Sequence, residues 1–216
     1  LDKGCNLFIT GQNRIKLKEI SNELSETLMV YGGGASSMVK NNVHHRACDL
    51  SNTSNVLSLI DDVREVFNNI DILVNSAGIF PVKDFVDLDL DDYNKCINVN
   101  LTTPFLLINE FVRDMIKNKW GRIINVTSVS VKEPLNYLVL SNSIRSAVVA
   151  WAKSLSVDVG KDGVTVNSIL TGYFDTERIK DLNKEKSKSL NISEDEVLEK
   201  MKSLVPINRL GKTEEY

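Results

Sequence analysis

Residues 121–145 read GRIINVTSVSVKEPLNYLVLSNSIR, and the order of residue types in this stretch decides the fold. Ile123, Ile124 and Val126 form the apolar run that a strand buried on both faces requires, and the run turns abruptly into Thr127, Ser128 and Ser130. A buried strand thus delivers hydroxyls at its C-terminal end. Pro134 breaks the chain. From Leu138 to Val159 the apolar residues Leu140, Ile144, Ala147, Val148, Trp151 and Leu155 then fall on one helical face. In open α/β sheets ligands sit in the crevice beyond the strand C-termini, so chemistry is expected at this corner.

The same alternation extends outward in both directions. Asn6 to Thr10 reads as a short strand, followed by a turn at Gly11, Gln12 and Asn13 and a helix near Arg14 to Ser25 with Ile15, Ile20 and Leu24 as its apolar stripe. Gly32 to Gly34 reads as a flexible connection, since the lysine that a phosphate-binding GxxxxGK[ST] loop needs is missing. A helix capped by Ser51, Asn52 or Thr53 buries Val56, Leu59, Ile60, Val63 and Phe67. Asp71 to Val74 is a short apolar strand that ends in the small residues Asn75, Ser76, Ala77 and Gly78, which let a flat ring approach the backbone.

Asp87 to Tyr93 carries acids suited to a helix N-terminus. Tyr93 to Lys117 reads as one long helix with Ile97, Leu101, Phe105, Ile108, Val112 and Met115 apolar. Gly163 to Ile169 is a further strand. These alternating elements predict an α/β fold, a three-layer doubly wound parallel sheet forming a single Rossmann-like domain over residues 1–216. From Glu177 to Leu204 the chain turns polar. It has a capped helix near Ser193 (Val197, Leu198, Met201 and Leu204 apolar), and this segment is expected to be a mobile lid over the crevice.

Composition excludes several classes. With 216 residues, 42% hydrophobic and 25% charged, the chain has the makeup of a globular domain, and a net charge of −3 offers no basic footprint for nucleic acid or an anionic membrane. No apolar run is of membrane-spanning length and the first residues lack a signal-peptide layout, so the cytoplasm is the expected compartment. Cys5, Cys48 and Cys96 are far apart and read as reduced thiols. His44 and His45 point to opposite faces of an extended segment and cannot share a metal, so they are read as solvent or strand-edge residues.

The central stretch resembles the active-site segment of the short-chain dehydrogenase/reductases, in which a serine ends a strand and a YxxxK motif follows on the next helix. The resemblance extends to NSAG at 75–78, NVNL at 98–101, the segment from Ala147 to Ile169, and Thr171 to Thr176, which is similar to the family's PGxxxT with Thr171 in place of proline. Within the family the general look is that of the 3-oxoacyl-carrier-protein reductases and the sugar or alcohol dehydrogenases. Counting without a gap from Ser128 places Ser141 at the tyrosine position and Arg145 at the lysine position, so the chain departs from the pattern at both.

The resemblance implies an NAD(P)-dependent oxidoreductase acting on a small carbonyl or alcohol, assembled as a homotetramer or homodimer through the helices containing Phe105 and Trp151. It implies a catalytic set of Ser128, Asn100, Ser141 and Arg145. It further implies cofactor contacts from Gln12, Asp49, Leu50, Asn75, Ala77, Gly78, Arg145, Thr171, Gly172 and Thr176. Asp49 reads equally as an acceptor for the adenine amino group and as a helix cap. The strand exit at Thr10 to Arg14 carries no acid to face a ribose diol, and Arg14 and Lys16 are suited to a 2′-phosphate, which favours NADP over NAD. The family's first strand and glycine-rich turn find no counterpart in residues 1–9, nor do its last helix and strand after PINRLG at 206–211. Loss of a central strand would leave its neighbours unpaired, so the natural polypeptide is expected to be longer at its N-terminus.

An aliphatic hydroxyl is a far weaker acid than a phenol, and an arginine holds charge without relaying a proton. Tyr137, one helical turn before Ser141, is a replacement acid or a packing residue at the helix start. A water held by Ser141 and Arg145 is the other replacement. A nucleotide-binding sensor or scaffold that has lost turnover is the competing reading.

Overall fold

The computed structural model describes residues 5–31, 42–81, 83–136 and 138–216, with the side chains of 26–31 left aside. The connection at Gly32 to Gly34 and the candidate acid Tyr137 therefore lie outside the described residues. Five parallel strands alternate with helices in chain order. They are β1 (Leu7–Gly11), α1 (Arg14–Tyr31), β2 (Val43–Ala47), α2 (Thr53–Val66), β3 (Ile72–Asn75), α3 (Leu90–Ile97), α4 (Thr103–Lys117), β4 (Gly121–Val126), α5 (Val139–Val159), β5 (Val164–Ile169), α6 (Glu177–Leu190) and α7 (Glu194–Ser203).

The strands form two sheets. β1 pairs with β2, and β3–β4–β5 form a second sheet with β4 in the middle. In the central strand Gly121, Ile123 and Asn125 are buried and the residues between them only partly, so one face is covered more fully than the other where the apolar run pointed to burial on both. β3 is an edge of its sheet. Its apolar Ile72 and Val74 are 47% and 54% exposed although the sequence pattern marks them for burial on both faces.

Three clusters make up the core. Val56, Leu59 and Val63 of α2 gather Phe8 of β1, Leu73 of β3 and Phe111 of α4, so both sheets rest on one body of side chains. Ile123, Val164 and Val166 pack against Ile108 and Met115 of α4 and Ala152 and Val159 of α5. The third, Phe80, Cys96, Leu140 and Ile144, lies under the crevice. Arg64 bridges α2 to α4 through Glu110, at 2.9 Å, and Asp114.

Several expectations are corrected. The buried face of α1 runs through Leu17 and Ser21, while Ile15 and Ile20 are exposed. Residues 17, 21 and 24 also recur at helical spacing, and it is this face that meets the sheet. The long helix is interrupted: Asn98–Thr102 forms a π-helical turn between α3 and α4, and the extra residue leaves Phe105 half exposed while Ile108, Phe111 and Met115 turn inward. His44 is partly buried, stacked on Phe8 with ring centroids 6.5 Å apart and edge-on to Phe67 at 5.7 Å. Cys48 and Cys96 are buried and Cys5 exposed, all as free thiols, and among the described residues no group of three or more His, Cys, Asp or Glu is placed to hold a metal. No described helix is long and apolar enough to cross a membrane.

Candidate active site

The site is built where β3, β4 and β5 end. Backbone bonds carry the sheet register past the strands: Thr127 N donates to Ile169 O at 2.8 Å and Val129 N donates to Thr171 O at 3.0 Å. The segment bearing Ser128 is thereby locked to the Thr171 turn. Ser128 is extended, and its Oγ accepts from Ser130 N at 3.1 Å, capping a single 3₁₀ turn that reverses the chain toward α5. Across β3, Asn75 Nδ2 donates to Asn125 Oδ1 at 2.9 Å.

The π-helical turn positions Asn100. Its amide donates to Cys96 O at 2.8 Å and to Ile79 O at 3.1 Å, which ties the helix to the chain leaving the NSAG segment. An asparagine inside a helix is mildly unfavourable; here the widened turn lets its side chain bond inward. Gly78 lies against both Asn100 and the arginine of α5. A β-carbon built there would stand 3.1 Å from Arg145 Nη2 and 3.1 Å from Asn100 Oδ1.

Arg145 reaches this point from α5. Its Nη1 donates to Val126 O at 3.1 Å and its guanidinium carbon sits 4.9 Å from the centroid of the Phe80 ring. Burial, and secondarily the positive charge of Arg178, push the guanidinium down from its ordinary value. The arginine Nε is buried with no partner among the described residues, as is Asn125 Nδ2.

Ser128, Ser141, Arg145, Thr171, Gly172 and Thr176 line one cleft of about 250 Å³. Ser141 is 6% exposed and takes the place that the family resemblance gives to a phenol. Asn75, Ala77, Asn100 and Arg145 line a smaller adjoining hollow on the β3 side, so Arg145 borders both. Gln12, Asp49 and Leu50 do not line either space. They form a separate station at the end of the two-stranded sheet, where Gln12 Nε2 donates to Asp49 Oδ1 at 3.3 Å. Hydrogen bonds from the Ser51 hydroxyl, then the Ser51 amide and then Gln12, hold the Asp49 carboxyl below its usual range. Leu50 O accepts from Thr103 Oγ1 at 2.8 Å, which moors this station to the start of α4.

Among the cleft residues not assigned a role from the sequence are Phe80, Tyr173, Arg178 and Lys186. Phe80 closes the cleft behind NSAG and is held there by Arg178 Nη2, which donates to its carbonyl at 2.9 Å. Arg178 and Lys186 stand on α6, a helix that the polar composition of 177–190 concealed. Their spacing with Leu182, four residues each way, was the available signal. Burial, with a smaller contribution from Glu133, pushes the Tyr173 phenol up, so it stays protonated at neutral pH.

The residues present fit a dinucleotide. Gly78 lets the backbone lie against Arg145 and Asn100 where a side chain would crowd both, the backbone of 76–78 is exposed at the strand ends, and Arg145 has a buried donor without a partner among the described residues.

The short chain dehydrogenase family matches residues 1–187. Among curated proteins, the chain is 32% identical over 221 residues to the 3-oxoacyl-[acyl-carrier-protein] reductase FabG of Buchnera aphidicola subsp. Baizongia pistaciae, covering 96% of this chain and 84% of that one. It is 28% identical to the FabG of Aquifex aeolicus, covering 98% and 77%. Among solved structures, an actinorhodin polyketide ketoreductase variant with NADPH superposes with a TM-score of 0.85 at 22% identity, covering 99% of this chain and 78% of that one. NAD+-bound xylitol dehydrogenase superposes with a TM-score of 0.83 at 21% identity, covering 98% and 79%.

Proposed function

The chain belongs to the short-chain dehydrogenase family, NAD(P)-dependent oxidoreductases acting on CH–OH and C=O groups, and within it we propose a carbonyl reductase that favours NADP and is first to be tried on 3-oxoacyl thioesters. The observation that carries this reading is the convergence of Ser128, Ser141 and Arg145 with the Thr171–Gly172 turn on one cleft.

The bound nicotinamide supplies or accepts the hydride. Asn75, Ala77, Gly78, Thr171, Gly172 and Thr176 hold the nicotinamide half, while Gln12, Asp49 and Leu50 receive the adenine end. Arg145, with Nε unpartnered among the described residues and Nη2 beside Gly78, would supply hydrogen-bond donors and fixed positive charge to the cofactor's ribose. The Ser128 hydroxyl donates to the carbonyl oxygen and stabilises the charge that develops there. With Ser141 at the tyrosine position, the proton reaches the alkoxide from a water held by Ser141 and Arg145, or from Tyr137. Asn100 holds the chain that leaves the NSAG segment, at Ile79.

NADP is favoured because the exit of β1 offers no acid and leaves Arg14 exposed, with Lys16 in only a long, exposed pairing with Glu177 at 3.7 Å. Residues 177–204 serve as the substrate lid. The outward faces of α4 and α5, with Phe105 half exposed, form the contact between copies in a dimer or tetramer, which light scattering on the purified protein measures. The cytoplasm is the compartment proposed with this reading.

The test is turnover of NADPH by the full-length protein with a carbonyl panel, followed by nicotinamide absorbance. Ser128→Ala lowers kcat by about 10²–10³-fold. Unchanged turnover in Tyr137→Phe assigns the proton to the water. Cofactor binding with no turnover of any carbonyl favours a sensor or scaffold instead, which the buried Ser141 at the phenol position motivates.

A further inference from the structure

The wall of the cleft on the lid side is unusual in its charge. Arg145, Arg178 and Lys186 all face the cleft, and none of its described lining residues is an aspartate or glutamate. None of the three pairs with a carboxylate among the described residues, although nine ion pairs occur elsewhere among them. Arg145 and Arg178 gather on the two sides of a single residue, one over the Phe80 ring and the other on the Phe80 carbonyl. Arg145 is partly buried and Arg178 exposed, and with no described carboxylate paired to either, the two guanidinium groups repel one another unless an anion joins them.

We propose that the substrate carries a carboxylate or phosphate, bound by Arg178 and Lys186 while its carbonyl rests on Ser128. This deepens the oxidoreductase reading and rests on it for the word substrate. Arg178 spends one nitrogen on Phe80 and keeps the rest of its donor fork for a bidentate anion. Lys186 lies eight residues further along α6, on the same face, half-buried. It also borders a second cleft with Asp84, Asp87 and Glu185, and none of those acids pairs with it. Burial alone pushes the Lys186 ammonium down, which agrees with a cation that has no fixed partner.

The anion belongs to the substrate and not to the cofactor because of what shares the wall. Leu135, Leu138, Ile179, Leu182 and Met201 surround the two cations, an apolar lining suited to a carbon skeleton. Asn75 and Ala77, assigned to the cofactor, open into the other hollow, and although Thr171, Gly172 and Thr176 share this cleft, it is the apolar residues beside the cations that mark the substrate's part of it. The site therefore selects a short carbonyl compound whose far end is charged.

Two measurements on the full-length protein test this. In the first, paired carbonyls differing only in charge are compared with NADPH: acetoacetate against its ethyl ester, and dihydroxyacetone phosphate against dihydroxyacetone. At least one charged member is expected to show a kcat/KM about tenfold or more above its neutral partner, lost mainly through KM in Arg178→Ala and partly restored in Arg178→Lys. In the second, calorimetry follows inorganic phosphate binding, which needs no turnover. Phosphate is expected to bind the wild type, to bind Arg178→Ala and Lys186→Ala at least about tenfold more weakly, and to compete with the carbonyl but not with NADPH. Equal turnover of both members of each pair overturns the proposal, as does phosphate that competes only with NADPH. If phosphate binds as expected and no carbonyl is ever reduced, the oxidoreductase reading falls and the anion site stands.

Discussion

The three-stranded sheet and the two-stranded pair are built from similar elements and end in different environments. β4 has a strand on each side, buries alternate residues completely, and is held by helices α4 and α5. Among the described residues β1 and β2 pair only with each other, and none of their residues is more than partly buried. The pair is joined to the rest through side chains, with Phe8 and Leu73 meeting on α2, Arg46 bonding Ser58 O and Asp62 of α2, and the Leu50 carbonyl moored to Thr103. Among the described residues, the edge proposed for catalysis has backbone hydrogen bonds on both sides of β4, whereas the station at Gln12 and Asp49 is joined to it by side-chain packing and side-chain hydrogen bonds. Ser128, Ser141 and Arg145, proposed for catalysis, line the cleft beyond the ends of the three-stranded sheet.

The largest expected difference is in stability. Ile123→Ala, at a fully buried position of β4, is predicted to cost about 3–5 kcal/mol in urea unfolding, whereas Ile9→Ala in β1 costs roughly 1 kcal/mol. Equal costs would dissolve the contrast. Next come the glycines that seat the three-stranded sheet on α4. Gly163 has φ 76°, and a β-carbon there would meet Lys119 O at 2.2 Å, while one on Gly121 would meet Met115 at 2.5 Å. Gly163→Ala is predicted to lose about 1–3 kcal/mol, read as a lower melting temperature.

Hydrogen exchange sharpens the comparison at finer resolution. Amides of β4 and β5 are predicted to exchange only through global unfolding, and those of β1 and β2 about tenfold or more faster through local opening. The smallest effect concerns Asp49. Its carboxyl is held low by Ser51 and Gln12, so its contribution is present above the usual carboxylate range and is lost as pH falls through the depressed value. Asp49→Asn is predicted to flatten the acid end of the stability-against-pH curve slightly, with no change at neutral pH beyond the lost cap at Ser51. A substantial loss at neutral pH would mean that Asp49 does more than cap.

The strands ending at Val126 and Asn75 were legible because a continuous apolar run that gives way to small or hydroxyl residues suits a buried strand meeting a crevice and little else. β2 was not, since VHHRA carries no apolar run and owes its strand state to pairing with β1. α6 was hidden for the opposite reason: its apolar residues are sparse, and what it contributes to the cleft is charge. The helical face of α1 was misread because two apolar stripes compete and only contact with the sheet chooses between them. At the site, Ser128, Arg145 and Gly78 could be placed from motif spacing. The meeting of Gly78 with Asn100 and Arg145 depends on a π-helical turn that no residue pattern announces.

The most direct test of the central claim is nucleotide binding at the three-stranded edge. Titration of NADPH and NADH into the full-length protein, followed by nicotinamide fluorescence, is predicted to give saturable binding, tighter for NADPH. Arg145→Ala is predicted to weaken that binding by about tenfold while the fold, monitored by circular dichroism, stays intact. A folded protein that binds neither nucleotide, or one whose affinity is indifferent to Arg145, would contradict the claim that these strand ends form a dinucleotide site.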